Sequence, residues 1–299
     1  RWGRTLVGVW DPRPSIVGWL FVLPALVAYA VFVLQPLALT VEYSFYQWDG
    51  VGPATWVGFS NYGRVFTDPD LLGTILNSFR LLLFFSIVPV SVGLIAASIM
   101  HRVSTGRFGS IARAVIFLPQ IIPLVAAGII WGWLLALPGL INRILDLVGL
   151  HGVTRAWLGD FDTALPAVGM IGIWVLLGFC TVLLQTGMAK INPDLYEAAR
   201  LDGAGWFAEL RAVTIPEIRY EIGVCLTVTA IAALAAFDIV YVSTGGGPGH
   251  ATSVPGIQIY IEAFLQRRVG LASALAVALI VLVLVVILPI QRLNRGEPR

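Results

Sequence analysis

The sequence predicts an all-α integral membrane protein with six transmembrane helices. Composition is the first observation: of 299 residues, 58% are hydrophobic and only 12% charged, half the charged share of an average soluble domain, about 25%. Mean hydropathy is +0.87. Second, six apolar runs reach the roughly 20 residues that a helix needs to cross a bilayer core. Six such runs cannot all be buried inside a soluble chain of this length. Third, one charged, glycine-broken segment, 190–216, stands between two of those runs.

The first span covers about 16–39, "IVGWLFVLPALVAYAVFVLQPLAL". It is too long for the apolar region of a signal peptide, and no small-residue cleavage site follows, so it reads as a retained span. The others cover about 81–100, 114–137, 164–189, 222–244 and 270–290. Five of the six contain no charged residue; the fifth contains only Asp238. Pro24, Pro89, Pro119, Pro123 and Pro166 lie inside spans. Membrane helices tolerate proline when neighbours satisfy the freed carbonyls. Such kinks suit a moving pathway and also occur in static bundles.

Lys and Arg mark the cytoplasmic side. With the N-terminus inside, the inner segments hold 13 of them and the outer segments 6. Both termini are therefore expected in the cytoplasm, with 1–15 as a cytoplasmic N-terminal segment and 291–299 as a tail. The outer loops carry two short amphipathic helices, one placing Ile141, Ile144, Leu145 and Val148 on one face, the other Ile257, Ile261, Phe264 and Leu265. "GGGPGH", 245–250, reads as a turn just outside the fifth span.

Several chemistries are missing. No G-x-x-x-x-G-K-[ST] loop is present, so ATP binding by this chain is not expected. There is no H-E-x-x-H and no C-x-x-C, and His101, His151 and His250 fall in three separate loops, so no metal is expected. No basic tract suggests nucleic acid. Cys180 and Cys225 sit in apolar runs and read as reduced core residues. Intramembrane charge, which proton-coupled carriers need, reduces to Asp238. Its plain reading is a capped or interface-facing carboxylate; the sharper one puts it in a solute path.

The segment 190–216, "KINPDLYEAARLDGAGWFAELRAVTIP", supplies the missing function. Asn192 is a good N-cap and Pro193 suits the first helical position. Asp194 and Glu197 favour that positive helix end. Gly203 is placed to end the helix in a left-handed conformation. A second helix is expected from about 204 to 212, stopped by Pro216. The pair is too short and polar to be a core, and reads as a docking knob on the cytoplasmic side; the bland reading is a loop packed on its own bundle.

This segment resembles the EAA loop of permease subunits of bacterial ABC importers. That pattern runs E-A-A, three residues, G, nine residues, I, one residue, L-P. Here Glu197, Ala198, Ala199, Gly203, Val213, Ile215 and Pro216 keep the spacing, with Val213 and Ile215 as conservative departures. Residues 56–79, "RAVIFLPQIIPLVAAGIIWGWLL" and "FDIVYVSTGGGPGHAT" resemble the carbohydrate branch, that of the maltose and glycerol-phosphate permeases.

The resemblance implies a type I ABC importer permease fold and a subunit of the bacterial cytoplasmic membrane that forms half of a translocation pathway. It implies a second homologous permease, two copies of an ABC ATPase carrying ATP and Mg, and an extracytoplasmic solute-binding protein. No cofactor is expected on this chain. Glu197, Ala198, Ala199, Leu201, Asp202, Gly203 and Trp206 are the implied ATPase-coupling residues. For a sugar, polyol or glycerol-phosphate solute, candidates along the path are Gln120, Trp131, Trp174, Phe179, Gln185, Phe237 and Asp238, although aromatics in spans more often face lipid or core. A self-sufficient secondary carrier and a membrane enzyme are the competing classes. The docking insert and the absence of a catalytic constellation count against them.

Overall fold

The computed structural model describes residues 16–103 and 107–293. The N-terminal segment 1–15 and most of the tail 291–299 lie outside the described residues. Four described helices are long and apolar enough to cross a membrane, and a bent helix pair makes a fifth if counted as one span.

Helix α1, 16–43, consists of Ile16–Tyr29, a widened π turn Ala30–Leu34, and Gln35–Tyr43. A two-stranded antiparallel hairpin follows, β1 Tyr46–Gln47 and β2 Thr55–Trp56, with Tyr46 opposite Trp56. Helix α2 is Ser60–Thr67. Helix α3, 69–103, joins Pro69–Leu82, a π turn Leu83–Ile87, and Val88–Val103. It begins twelve residues before the expected second span. The Asp68 side chain accepts from the Asp70 N–H at 3.0 Å, and Pro69 occupies the first helical position. A capped start of this kind initiates a helix before the sequence turns strongly apolar.

The expected third span is not one straight helix. Helices α4, Arg107–Ile121, and α5, Leu124–Leu134, meet at 98°. Pro123 causes the break: it lacks an N–H, adopts φ −55° and ψ 140°, and steers Ile122 away from helical geometry. Helix α6, Leu140–Leu147, is the first of the two expected amphipathic loop helices. Helix α7, Ala164–Met188, matches the fourth expected span. The insert holds α8, Pro193–Leu201, and α9, 206–217. The fifth expected span is divided into α10, Arg219–Leu234, and α11, Asp238–Ser243, with Phe237 at φ −129° and ψ −59° interrupting the helix. Helix α12, 255–265, is the second of these loop helices, and α13, Val269–Leu293, matches the sixth span.

Among the described residues, three of the four π turns precede a proline by two residues: Pro36, Pro89 and Pro216. In each, the N–H just before the proline reaches back five residues: Gln35 to Ala30, Val88 to Leu83, Ile215 to Leu210. Widening the turn relieves the clash between a proline ring and the preceding turn. Pro216 therefore does not stop the second helix of the insert; α9 runs through it to Glu217.

Helix α7 is the central column. Leu165, Val168, Ile171 and Val175 pack with Leu81 and Phe85 of α3, Ala127 of α5, Ala233 of α10, and Ile239 and Val240 of α11. A Cβ on Gly172 would overlap the Phe85 ring, and one on Gly178 would overlap the Ile116 carbonyl oxygen. Small residues at such positions let helices approach closely in lipid, where packing rather than water drives association. Across α3 and α10, buried Ser86 and Thr229 hydroxyls lie 2.7 Å apart. Toward the insert, Val90, Leu184, Met188 and Ile218 form a second core. Cys180 and Cys225 are free thiols within it.

Candidate coupling site and solute path

The insert is built as its sequence predicts at its first helix. The Asn192 side-chain oxygen accepts from the Asp194 N–H at 3.1 Å, with Pro193 at the start of α8. Gly203 takes φ +81°, a left-handed value that suits glycine. There the Gly203 N–H donates to Arg200 O at 3.0 Å and the Ala204 N–H to Ala199 O at 2.9 Å. These bonds close the C-terminal end of α8.

Helix α8 has two faces. Leu195, Glu197, Ala198, Leu201 and Asp202 are exposed, and Leu201 is 89% exposed. Phe207 of α9 continues this apolar surface at 69%. Ala199 and Tyr196 turn inward, Tyr196 packing against the second core with its hydroxyl 3.1 Å from Thr214 Oγ1. Trp206 is half-buried and donates from Nε1 to Ser98 Oγ of α3 at 3.0 Å, so it anchors the insert rather than extending the outer face.

Glu209 is the residue that sequence reasoning missed. It is only 4% exposed, yet bears two guanidinium groups from different elements. Arg102, near the C-terminal end of α3, makes one ion pair; Arg200 of α8 makes the other, Nε to Oε1, at 3.0 Å. Burial pushes the Glu209 carboxyl upward, but hydrogen bonds and charge from Arg200 and Arg102 outweigh it and hold the carboxyl below its ordinary value. A cavity of about 470 Å³ lies between α3 and the insert, lined among others by Ser98, His101, Glu197, Arg200 and Glu209. The signal was present: Trp206, Glu209, Leu210 and Val213 recur at helical spacing, which puts Glu209 on the inward face of α9.

The expected path residues fall in two regions of the bundle. Trp131 of α5 and Trp174 of α7 meet edge-to-face, centroids 5.6 Å apart at 73°. Both, with Phe237, border the main core. Among the described residues, Trp131 Nε1 and Gln120 Oε1 are buried without hydrogen-bond partners. Asp238 is exposed and opens α11. Phe179 borders the second core, toward the insert, and Gln185 is half-buried two turns further along α7. The sequence did not reveal an aromatic ladder in which Phe237 stacks on Tyr241 at 5.1 Å, Tyr241 meets Tyr260 at 5.6 Å, and Tyr260 meets Phe264 at 5.6 Å.

The described residues thus form a helical bundle with an apolar core and a polar insert clamped against it. Residues 90–296 match the family model described as binding-protein-dependent transport system inner membrane component, and the chain belongs to that family. The probable ABC transporter permease protein YurN of Bacillus subtilis (strain 168) is 33% identical over 286 residues, 95% of this chain and 98% of that one. The trehalose/maltose transport system permease protein MalF of Thermococcus litoralis is 33% identical over 295 residues, 95% and 96% of the two chains. A chain of a crystallised bacterial ABC transporter involved in import of the acidic polysaccharide alginate superposes with a TM-score of 0.79 at 22% identity, over 95% of this chain and 96% of that one. The fold is shared with that importer.

Proposed function

We propose that this chain is one half of the membrane pathway of an ATP-driven, binding-protein-dependent importer of a carbohydrate-class solute, a disaccharide, oligosaccharide, polyol or glycerol-phosphate compound. Its complex contains a second homologous permease, two ABC ATPase subunits carrying ATP and Mg, and an extracytoplasmic solute-binding protein. The chain crosses the bacterial cytoplasmic membrane six times, counting the bent α4–α5 pair and the divided α10–α11 pair as one crossing each, with both termini inside. It binds no cofactor and hydrolyses nothing itself. The family's dependence on a binding protein argues against a self-sufficient carrier.

One observation carries the coupling role: a helix capped at both ends, held from beneath by Glu209, offers Leu195, Glu197, Ala198, Leu201 and Asp202 outward from the charged insert between α7 and α10. Ala199, Gly203 and Trp206 shape and anchor that helix. A capped, clamped helix transmits a push from an ATPase cleft without melting. Trp131, Trp174 and Phe237 are the path residues retained for stacking on a sugar ring, with Gln120 as a hydrogen-bonding group; Phe179, Gln185 and Asp238 are secondary. The test is reconstitution of the full complex in proteoliposomes. Glu197→Ala with Leu201→Ala should leave the bundle folded and abolish ATP-driven uptake. Normal uptake by that variant would overturn the coupling role.

A further inference from the structure

We propose that α3 is a lever that carries movement of the coupling helix to the outer face of the bundle, with Glu209 and Arg102 as its inner joint and Asn77 as its outer joint. The inference rests on the coupling role proposed above for α8. In sequence the insert joins α7 to α10, so those helices look like its natural outputs. The polar anchors go elsewhere. Arg102 and Ser98 are one helical turn apart on α3, and they hold Glu209 and Trp206 of α9. Arg200 ties α8 to the same carboxylate. Pulling α9 away from α3 would strand a buried charge, so the joint moves as a unit. One tie to α10, Lys190 to Glu221 at 3.5 Å, ends on an ammonium that is 72% exposed and holds far less firmly than the buried Glu209 pair.

The other end of α3 is equally committed. Asn77 is 4% exposed, and its Nδ2 lies 3.3, 3.1 and 3.0 Å from the carbonyl oxygens of His250, Ala251 and Ser253. Its Oδ1 accepts from Arg80 at 3.1 Å. These carbonyls belong to the segment that follows the glycine-rich outer turn. Asn77 and Arg102 are separated by about 37 Å of helix at 1.5 Å per residue, enough to span a bilayer core. Between them, Phe84 and Phe85 seat against Gly169 and Gly172 of α7, where any side chain would collide with the rings. The π turn Leu83–Ile87 lies at this seat. A long helix held at both ends and seated on glycines about a third of the way from Asn77 to Arg102 can tilt about that seat, carrying with it Cys180 and Leu184 of α7, which pack on its longer arm.

The test uses the assembled complex with its binding protein, ATPases and second permease in proteoliposomes, and reads ATP hydrolysed per solute imported. Glu209→Gln should leave assembly intact and raise that ratio about tenfold, within the usual range of site-to-site coupling. Arg102→Lys, which keeps the charge, should stay within about twofold. Asn77→Ala should raise the ratio similarly, and combining it with Glu209→Gln should add little, because both interrupt one linkage. A Glu209→Gln complex that transports less only in proportion to its ATPase activity, with the ratio unchanged, overturns the lever. Should that variant fail to assemble, Asn77→Ala decides alone, since it lies at the far end from the insert. Uncoupling by Glu197→Ala with Leu201→Ala, together with an unchanged ratio in Asn77→Ala, would remove the lever and keep the coupling role. An unchanged ratio in all of them would remove both.

Discussion

The side-chain amide of Asn77 lies 3.0 Å from the carbonyl oxygen of Ser253, 176 residues away in sequence. Replacing Asn77 by alanine leaves buried backbone acceptors without their donor, a loss of about 1–3 kcal/mol. Asn77→Ala should therefore lower the thermal midpoint of the purified complex and expose the amides of 250–253 to faster hydrogen exchange. Unchanged exchange there would show that the bond holds nothing.

Gly178→Ala should be among the most damaging single-methyl changes in the bundle. The added carbon meets the Ile116 carbonyl oxygen and the Phe117 Cα, which are backbone and cannot rotate away. Forcing α4 off α7 costs about 1–3 kcal/mol, although alanine is otherwise the better helix former. The check is yield and thermal midpoint against Gly132→Ala, where nothing lies within 4 Å.

The Glu209 clamp should be indifferent to moderate pH. Its folded carboxyl titrates below its unfolded value, held down by Arg200 and Arg102 against the opposing effect of burial. The stabilisation is thus complete above the unfolded value, about 4.3, and fades only as pH falls through the lower folded value. Hydrogen exchange of α8 and α9, corrected for intrinsic rates, should be flat from about pH 5 to 8. A transition near pH 6 would mean that the carboxylate is not held as described.

Leu201→Ser should separate function from stability. At 89% exposure the leucine buries almost nothing in this chain, so the change should alter stability by no more than about 0.5 kcal/mol. Loss of ATPase co-purification with an unchanged thermal midpoint is the expected result. Retained co-purification and uptake would place the docking contact elsewhere.

Asn192 offers a graded control. Asn192→Ala removes the cap of α8 and should cost about 1 kcal/mol of local helix stability. Faster exchange confined to 193–197 is the expected signature; global unfolding would contradict it.

Much of the bundle was legible because lipid demands uninterrupted apolar runs. The fourth and sixth spans, α7 and α13, follow their runs nearly to the residue. The caps of α8 were equally legible, since Asn192, Pro193 and Gly203 act within a few residues of chain. Where hydropathy and backbone geometry parted, the reading failed. Pro123 bends an apolar run that hydropathy alone calls continuous, and Phe237 interrupts another. Pro216 looked like a stop because its cost was reckoned for an ordinary turn, not the widened turn that precedes it. Glu209 was hidden because its partners lie 9 and 107 residues away, and only tertiary packing brings Arg102 to it. Residue type marked the path candidates but says nothing about which helix faces meet; packing is what brings Trp131 edge-to-face with Trp174.

None of the described side chains of α1 between Trp19 and Tyr43 is buried, and its packing on α13 comes chiefly from Gln35–Tyr43. A helix that satisfies its own backbone and leaves most of its flank uncovered by its own chain is already at rest in lipid. During synthesis it can leave the insertion machinery early and needs no sibling helix to hold it there. Its neighbour α13 is made well after it, because the chain between Tyr43 and Val269 comes first. The junction of α1 with α13 therefore forms late relative to the insertion of α1 itself.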